Sequence, residues 1–203
     1  MLNNLNIKGL FLVVGLMALL AIAMGLSALN GMEQSNDSLR TIYLDRTVGL
    51  RQLSEIKVKI LANRLSIANS LAFKDEIPKN VARIKQNLID MEKLWIEYRS
   101  TKYTSEEFGI SNRFEKETKQ LTQEGITPAM EYLLSGNTEA VDNLVKTAIR
   151  PLFIPVEGDI DRLLQIQVDV TLQEYMDNQS RYESNRAILI AILTIMILLQ
   201  LLY

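Results

Sequence analysis

The sequence contains no cysteine and no histidine among its 203 residues. Without cysteine there can be no disulfide, no iron–sulfur cluster held by thiolates and no thiol nucleophile. Without histidine the chain lacks the most common general base and the most common metal ligand. Carboxylate-bridged di-iron bundles also need Glu-x-x-His motifs that face inward, so this class is excluded as well.

Other signals of enzymes and of nucleic-acid-binding proteins are missing too. The formal net charge is −2, from 22 Lys and Arg against 24 Asp and Glu, which is too balanced to indicate a nucleic-acid partner. The sequence has no glycine-rich phosphate loop, no nucleophile elbow and no metal-ligand spacing. We therefore expect no enzymatic activity, no cofactor, no metal and no nucleic-acid partner.

What the chain does have is two uncharged apolar runs near its ends. The first covers residues 9–32, and the second follows Arg186 for 17 residues to Tyr203. A helix needs roughly 20 apolar residues to cross a bilayer core, with a lower limit near 17. We predict transmembrane helices over 9–32 and 186–203, a cytoplasmic N-terminus over 1–8 and a periplasmic sensor domain over 33–185.

A cleaved signal peptide is the alternative for the first run. Lys8 supplies a small basic region, and Ala21-Ile22-Ala23 resembles a cleavage site. The run continues well past that point, whereas the apolar core of a signal peptide has about 7–15 residues, so an uncleaved helix is favoured. Lys8 favours a cytoplasmic N-terminus by the positive-inside rule, and the lack of cysteine permits a periplasmic domain.

No loop, basic anchor or domain follows the second run before Tyr203. The chain is then either a fragment of a longer protein or a protein that has a sensing part and no signalling part. We favour the fragment.

The segment between the runs has helical periodicity almost throughout. From Asn30 to about Ala72, apolar residues recur at heptad spacing, with Arg46 as an interruption. They form two neighbouring rows: Leu39, Leu53, Ile60 and Ile67, with Ile42, Leu50, Ile56 and Leu71 beside them. After a turn marked by Pro78, a second helix has apolar residues in alternating steps of three and four: Val81, Ile84, Leu88, Met91, Trp95 and Tyr98.

A third helix should begin at Thr104, because Thr104 and Glu107 have the spacing of a capping box. Pro128 should kink this helix near Ile126, since proline removes one hydrogen bond and clashes with the carbonyl one turn back. The apolar residues of the third helix are Phe108, Phe114, Leu121, Met130, Leu133 and Leu134.

A turn at 135–138 then precedes a fourth helix, which continues to Arg186 and into the second run. Pro151 and Pro155 should distort its first turns. We expect its core face to contain Ile149, Phe153, Val156, Ile160, Leu163, Leu164, Tyr175 and Tyr182.

Four helices joined by short turns predict an all-α, up-down-up-down four-helix bundle flanked by two transmembrane helices. In this topology the first and fourth helices of the bundle continue into the two spans. The layout is typical of a membrane-anchored sensor or receptor and not of a soluble enzyme.

Several short stretches resemble a known family. Tyr43-Leu-Asp-Arg46 and the following Leu50, Leu53 and Ile56 resemble the first helix of the sensor domain of bacterial chemoreceptors. Glu92-Lys-Leu-Trp95-Ile-Glu-Tyr98 resembles the end of that family's second helix. Leu133-Leu-Ser-Gly136-Asn and Arg150-Pro-Leu-Phe153 resemble the turn into its last helix and the start of that helix. The order and spacing of these stretches match over the whole chain.

The resemblance implies a methyl-accepting chemotaxis protein of the bacterial inner membrane. Such receptors are homodimers whose periplasmic bundle binds a small attractant, and two subunits would pair along the first helix, with Ile42, Leu50 and Ile60 among the candidate contacts. The signal would pass through the second span to a HAMP linker and a coiled-coil tip that controls a histidine kinase. The resemblance would place these output parts beyond Tyr203.

The resemblance also implies candidate ligand-binding residues. In aspartate-type members, arginines on the first helix of both subunits and groups at the start of the fourth hold the ligand carboxylates. Arg64 matches one such arginine, and Lys59 falls on an earlier one. The start of the fourth helix supplies Thr147 and Arg150. A third family arginine falls on Ala68, so the pattern for aspartate is incomplete and the ligand class remains a small carboxylate or amino acid.

Each of these residues also has a purely structural interpretation. Lys57, Lys59 and Arg64 can form a solvated face with internal partners such as Glu55. Trp95 and Tyr98 can stack on an aromatic ligand, but their heptad spacing favours the core. The pair Asp45-Arg46 can be an intersubunit or intrabundle ion pair, which contributes little if it is exposed.

Two other functions remain open from the sequence. The same bundle also serves as the input domain of sensor histidine kinases and nucleotide cyclases. A membrane-anchored structural bundle that binds no ligand is the third interpretation.

Overall fold

The computed structural model describes residues 3–101 and 104–201, except for the side chains of residues 3–8, 44 and 45. Every regular element in this part of the chain is helical. The α-helices are α1 (Asn3–Thr41), α2 (Val48–Ala72), α3 (Ile77–Arg99), α4 (Ser105–Leu121), α5 (Thr127–Leu134), α6 (Thr138–Leu144) and α7 (Arg150–Leu201). The all-α prediction is confirmed.

Three short π-helical segments connect consecutive α-helices. They are Ile42–Thr47 between α1 and α2, Thr122–Ile126 between α4 and α5, and Val145–Ile149 between α6 and α7. The second segment lies where a kink was predicted, directly before Pro128 in the first turn of α5. The third lies directly before Pro151. Because proline cannot donate the hydrogen bond of a regular helix, widening the preceding turn is one way to accommodate it.

The bundle occupies residues 44–171, one of two compact units in the chain. Its four helical columns are α2, α3, α4 with α5, and α6 with the first part of α7. Short connections at 73–76 and 135–137 make successive columns antiparallel. Gly136 has a φ of +75°, a conformation that side chains other than glycine's rarely adopt, and so lets the chain leave α5 sharply.

The helix starts use the predicted local signals. The Thr104 hydroxyl accepts a hydrogen bond from the Glu107 backbone N–H, and the Glu107 carboxylate accepts one from the Thr104 backbone N–H. This completes the capping box. The Asn137 side chain caps α6 by accepting a hydrogen bond from the Ala140 N–H.

The bundle core contains most of the apolar residues predicted for it. Buried members from the four columns include Leu53, Ile56, Ile60, Ile67, Val81, Ile84, Met91, Tyr98, Phe114, Leu121, Met130, Leu133, Ile149, Phe153, Val156, Ile160 and Leu163. At Gly125 an added Cβ would lie 3.0 Å from Ile149, so glycine is what lets the second and third π-helical segments approach.

Some predicted core residues are exposed instead. Phe108 and Leu134 are more than half exposed because they lie on the outer faces of α4 and α5. Leu39, Tyr175 and Tyr182 are also exposed and belong to the other compact unit, so the core face of the bundle ends before reaching them.

The second compact unit comprises residues 1–43 and 172–203 and contains the two apolar runs. By length and composition, two helical stretches can cross a membrane, Gly9–Thr41 and Thr138–Leu201, and the most apolar window of each is entirely unburied. Within this unit, the Arg181 Nη2 donates to the Ser38 Oγ at 3.0 Å. Residues 1–2 of the predicted N-terminal segment and residues 202–203 of the predicted second span lie outside the described part.

Candidate ligand-binding site

Arg64 lies on the exposed side of α2 and reaches across to the start of α7. Its guanidinium carbon is 4.5 Å from the centroid of the Phe153 ring, and Phe153 is only 3% exposed. A guanidinium is attracted to an aromatic face by the ring quadrupole, so this contact fixes the position of an otherwise flexible side chain. The buried ring in turn belongs to the bundle core.

Arg64 has no carboxylate partner among the described residues, where the ion pairs involve other cations. Its N–H donors are therefore available to an external anion. A fixed guanidinium with free donors suits a carboxylate, since its planar fork can donate two parallel hydrogen bonds.

Two other predicted site residues, Arg150 and Thr147, precede Phe153 in the same column of the bundle. Arg150 begins α7 three residues before Phe153, and Thr147 lies in the preceding π-helical segment. Both are exposed. The Thr147 hydroxyl donates to the Asn143 carbonyl at 2.9 Å and keeps its lone pairs as acceptors. Arg150 is one helical turn from the ring under Arg64, so it can add a second positive charge there.

Lys59 occupies a different side of α2. Its Nζ donates to Asp90 of α3 at 2.7 Å. This hydrogen bond is the main reason that the pKa of the Asp90 carboxyl lies below its usual range, with a second hydrogen bond from Gln86 adding to the effect. The structure does not bring Lys59 to Phe153, and its role in binding a ligand stays a prediction.

Lys57 also has an internal partner, although not the one expected. Its Nζ lies 2.5 Å from Asp161 of α7. Glu55, the partner proposed from the sequence, pairs instead with Arg51 at 2.5 Å. From the sequence, Lys57, Lys59 and Arg64 were candidates for one solvated face of α2. Of these three cations, Arg64 alone has no carboxylate partner within the described part of the chain.

A row of small and apolar residues on α2 faces outward at heptad spacing. We call it the α2 stripe: Ser54, Val58, Leu61, Leu65, Ala68 and Ala72. Val58, Leu61 and Leu65 are 64%, 40% and 57% exposed. Alternating steps of four and three are the pattern of a coiled-coil seam, and Arg64 lies beside this row.

The α2 stripe does not coincide with the contact positions expected on the first helix, which stay a prediction except at the buried Ile60. Ile60 is 5% exposed and belongs to the bundle core, and Leu50 and Ile42 are half-buried. The apolar row that faces outward on α2 therefore lies about one residue along the chain from the row of Leu50 and Ile60, which the sequence favoured for contacts between subunits.

A second polar cluster lies inside the bundle, and sequence analysis did not find it. The Glu107 side chain is fully buried and forms an ion pair with Arg46 at 3.3 Å. The Tyr98 hydroxyl and the Gln167 amide each donate to the Glu107 Oε1 at 2.5 Å. We call these four residues the Glu107 cluster. They lie in the π-helical segment directly before α2, in α3, in α4 and in α7, and so link the start of the first column to the other three.

The Glu107 cluster overturns the view of Arg46 as a weak exposed charge. Arg46 is 7% exposed and lies in the first π-helical segment, where it meets a buried carboxylate. The side chain of its expected partner, Asp45, lies outside the described part. Tyr98 is fully buried, as the heptad spacing predicts, and the half-buried Trp95 packs 4.9 Å from the Phe114 ring centroid.

The described residues contain no group of three or more side chains arranged to hold a metal ion. The arrangement around Arg64 has the chemistry to bind an anionic group: a cation over an aromatic ring, with Arg150 at the start of α7 and the Thr147 hydroxyl in the π-helical segment before it.

Comparison with known proteins identifies a family and a curated relative that this chain is similar to. The family model of the Tar ligand binding domain homologue matches residues 1–171. A methyl-accepting chemotaxis protein, NahY of Pseudomonas putida, is 29% identical over 195 residues, which cover 91% of this chain and 34% of the relative. The chain therefore spans about a third of the length of this curated relative. No solved structure matches.

Proposed function

Since this chain belongs to the family of Tar ligand-binding domain homologues, we propose that it is the sensing portion of a chemoreceptor that detects a small periplasmic carboxylate or amino acid. The single observation that carries the ligand class is Arg64, held 4.5 Å from the buried Phe153 ring with no carboxylate partner in the described residues. Arg150 and Thr147 would complete the site from the head of the last column. An anion fits these groups, and a cation does not.

A screen of the full chain in lipid nanodiscs tests this proposal. Ligand binding to the native state raises its stability by about 2.7 kcal/mol at 100 times Kd. We expect one or more organic acids or amino acids to raise the Tm, and amines or neutral sugars to leave it unchanged. A set of anions that leaves the Tm unchanged at high concentration, while a neutral or cationic compound raises it, would contradict the assignment of the ligand class.

The α2 stripe supports a homodimer as the functional unit. Its exposed apolar heptad row would be covered by the same row of a second subunit, and the small Ala68 and Ala72 permit close approach of the two helices. Because Arg64 lies beside this row, two copies of the ligand site would border the subunit interface.

Cysteine crosslinking in membranes tests this interface. Leu61→Cys and Leu65→Cys should each form an intersubunit disulfide readily, since both side chains lie on the α2 stripe. Ile60→Cys is the matched control, because Ile60 is adjacent in sequence but 5% exposed. Equal crosslinking at all three positions, or none on the stripe, would argue against pairing along α2.

The two apolar helices support a topology with two membrane spans in the bacterial inner membrane. Residues 1–8 would lie in the cytoplasm, 9–32 and 186–203 would cross the membrane, and 33–185 would be periplasmic. A downstream HAMP linker, signalling tip and chemotaxis kinase complex would then receive the signal. A shift of α7 by about 1–2 Å relative to α2 is of the size that packed helices undergo.

Reporter fusions test this topology. An enzyme that is active only in the periplasm should be active when inserted near Lys116 in the bundle and inactive when fused after Tyr203. The two expression levels are matched by immunoblotting. The opposite pattern would reverse the orientation, and activity at both positions would indicate that the second helix does not cross the membrane.

A further inference from the structure

Within the unit that contains the apolar runs, α1 and α7 enclose an open cavity of about 480 Å³. One end is polar and is lined by Ser35, Asn178 and Asn185. The other end is apolar and is lined by Leu189, Ile190 and Leu193. The cavity therefore has the two-part lining that matches an amphiphile.

The charged side chains that line this cavity are two arginines, Arg181 and Arg186. Arg181 is held in place because its Nη2 donates to the Ser38 Oγ at 3.0 Å. No carboxylate in the described part of the chain pairs with Arg186. Both arginines thus line the cavity, and its lining contains no carboxylate.

The position of the cavity along the sequence matches the edge of a bilayer. Arg186 is the last charge before the second apolar run, and Met32, which also lines the cavity, ends the first run. Tyr182 lies in the lining one turn before Arg186. Tyrosine and arginine at the end of a membrane helix are typical of the headgroup level.

We propose that this cavity binds one phospholipid with an anionic headgroup, a proposal that rests on the membrane topology given above. The guanidinium groups of Arg181 and Arg186 would donate hydrogen bonds to the phosphate oxygens. An acyl chain would lie along Leu189, Ile190 and Leu193. Basic pockets between membrane helices on the cytoplasmic side of a bilayer bind acidic headgroups by the same chemistry.

A lipid fits this cavity better than the same surface of a second copy would. A symmetric contact between two copies would bring four arginines together without carboxylates, and burying unpaired charges is costly. A lipid phosphate neutralises the charge instead, and the apolar end of the cavity stays in contact with hydrocarbon.

Native mass spectrometry of the full chain, released from nanodiscs that contain phosphatidylglycerol and phosphatidylcholine, tests the proposal. The wild-type chain should retain phosphatidylglycerol preferentially. Each nearby cation adds about 1 kcal/mol of attraction to an acidic surface. The affinity for phosphatidylglycerol should therefore fall about fivefold in Arg181→Gln or Arg186→Gln and about 30-fold in the double variant. Arg40→Gln is the matched control, because Arg40 is an exposed cation of α1 that does not line the cavity.

Several results would overturn the proposal. The first is that the double variant retains as much phosphatidylglycerol as the wild-type chain. The second is that Arg40→Gln loses as much of the lipid as the cavity variants do. The third is lipid found on monomers but absent from dimers, which would mean that a second copy fills the cavity. Complete displacement of the lipid by excess inorganic phosphate would show that the cavity takes the free ion. Carbonate extraction of membranes, done in parallel for each variant, identifies failure of the membrane topology itself, since a chain that does not span the bilayer is released.

Discussion

Replacing Glu107 by alanine is expected to lower the free energy of unfolding by about 3–5 kcal/mol, because removal of one partner leaves the other charge of a buried pair uncompensated. The charge left behind would be Arg46, which is 7% exposed. Tyr98 and Gln167 would lose the acceptor that both share. The same substitution also removes one half of the capping box at the start of α4.

Glu106→Ala is the matched control for this prediction. Glu106 is the preceding residue, and it pairs with Arg162 on the surface, where both side chains are about half exposed. An exposed pair contributes about 0–1 kcal/mol. Denaturant unfolding of the full chain in detergent, followed by circular dichroism, should separate the two variants clearly. A Glu107→Ala midpoint that coincides with that of Glu106→Ala would show that the Glu107 cluster does not hold the four columns together.

Replacing Arg64 by alanine is expected to weaken binding of the anionic ligand by about 30-fold or more. Removing one partner of a charged hydrogen-bonded pair at a binding site costs about 2–5 kcal/mol, and each 1.4 kcal/mol is about a tenfold change in Kd. Stability should change little, since Arg64 is exposed and its structural contact is the face of Phe153.

Calorimetry on the nanodisc-embedded chain measures this effect, with the anion that gives the largest Tm increase as the titrant. Arg162→Ala is the control, because Arg162 is an exposed arginine of α7 whose partner is Glu106. Circular dichroism checks that both variants are folded. Unchanged affinity in Arg64→Ala would move the site elsewhere and leave Arg64 as a solvated charge.

The sequence predicts the helices well because their signals are local. The capping box at Thr104 and the proline at 128 act within one turn. The capping box forms as predicted, and a π-helical segment ends at Ile126, where a kink was expected. Heptad spacing likewise identifies α3, whose core row includes Ile84 and Tyr98.

On α2, the first helix of the bundle, the spacing of apolar residues does not identify which face belongs to the core. This helix carries two apolar rows, one in the core with Ile56 and Ile60, and one exposed with Leu61 and Leu65. A repeat of three and four residues fits both rows, so spacing alone cannot tell which row faces the other columns. The π-helical turns between helices add to the problem, because each one shifts the phase of the rows that follow.

The Glu107 cluster could not be predicted from local sequence. Arg46 and Glu107 are 61 residues apart, and Gln167 lies a further 60 residues along the chain. A charged residue on a helix is most often solvated, and nothing near Arg46 in the sequence marks it as buried. Phe153 was predicted as a core residue, but its contact with Arg64 depends on how α2 and α7 pack.

We propose that an anion bound at Arg64 is sensed and signalled by this chain. The most direct test joins the chain to the cytoplasmic part of a methyl-accepting chemotaxis protein and measures kinase activity in isolated membranes as the anion concentration rises. Changing the modification state of the signalling tip, which should alter kinase activity by itself, verifies that the hybrid is competent. We predict a saturable change in kinase activity, with the midpoint raised about 30-fold or more in Arg64→Ala. A competent hybrid whose activity does not respond to the anion, or responds equally with and without Arg64, would contradict the claim.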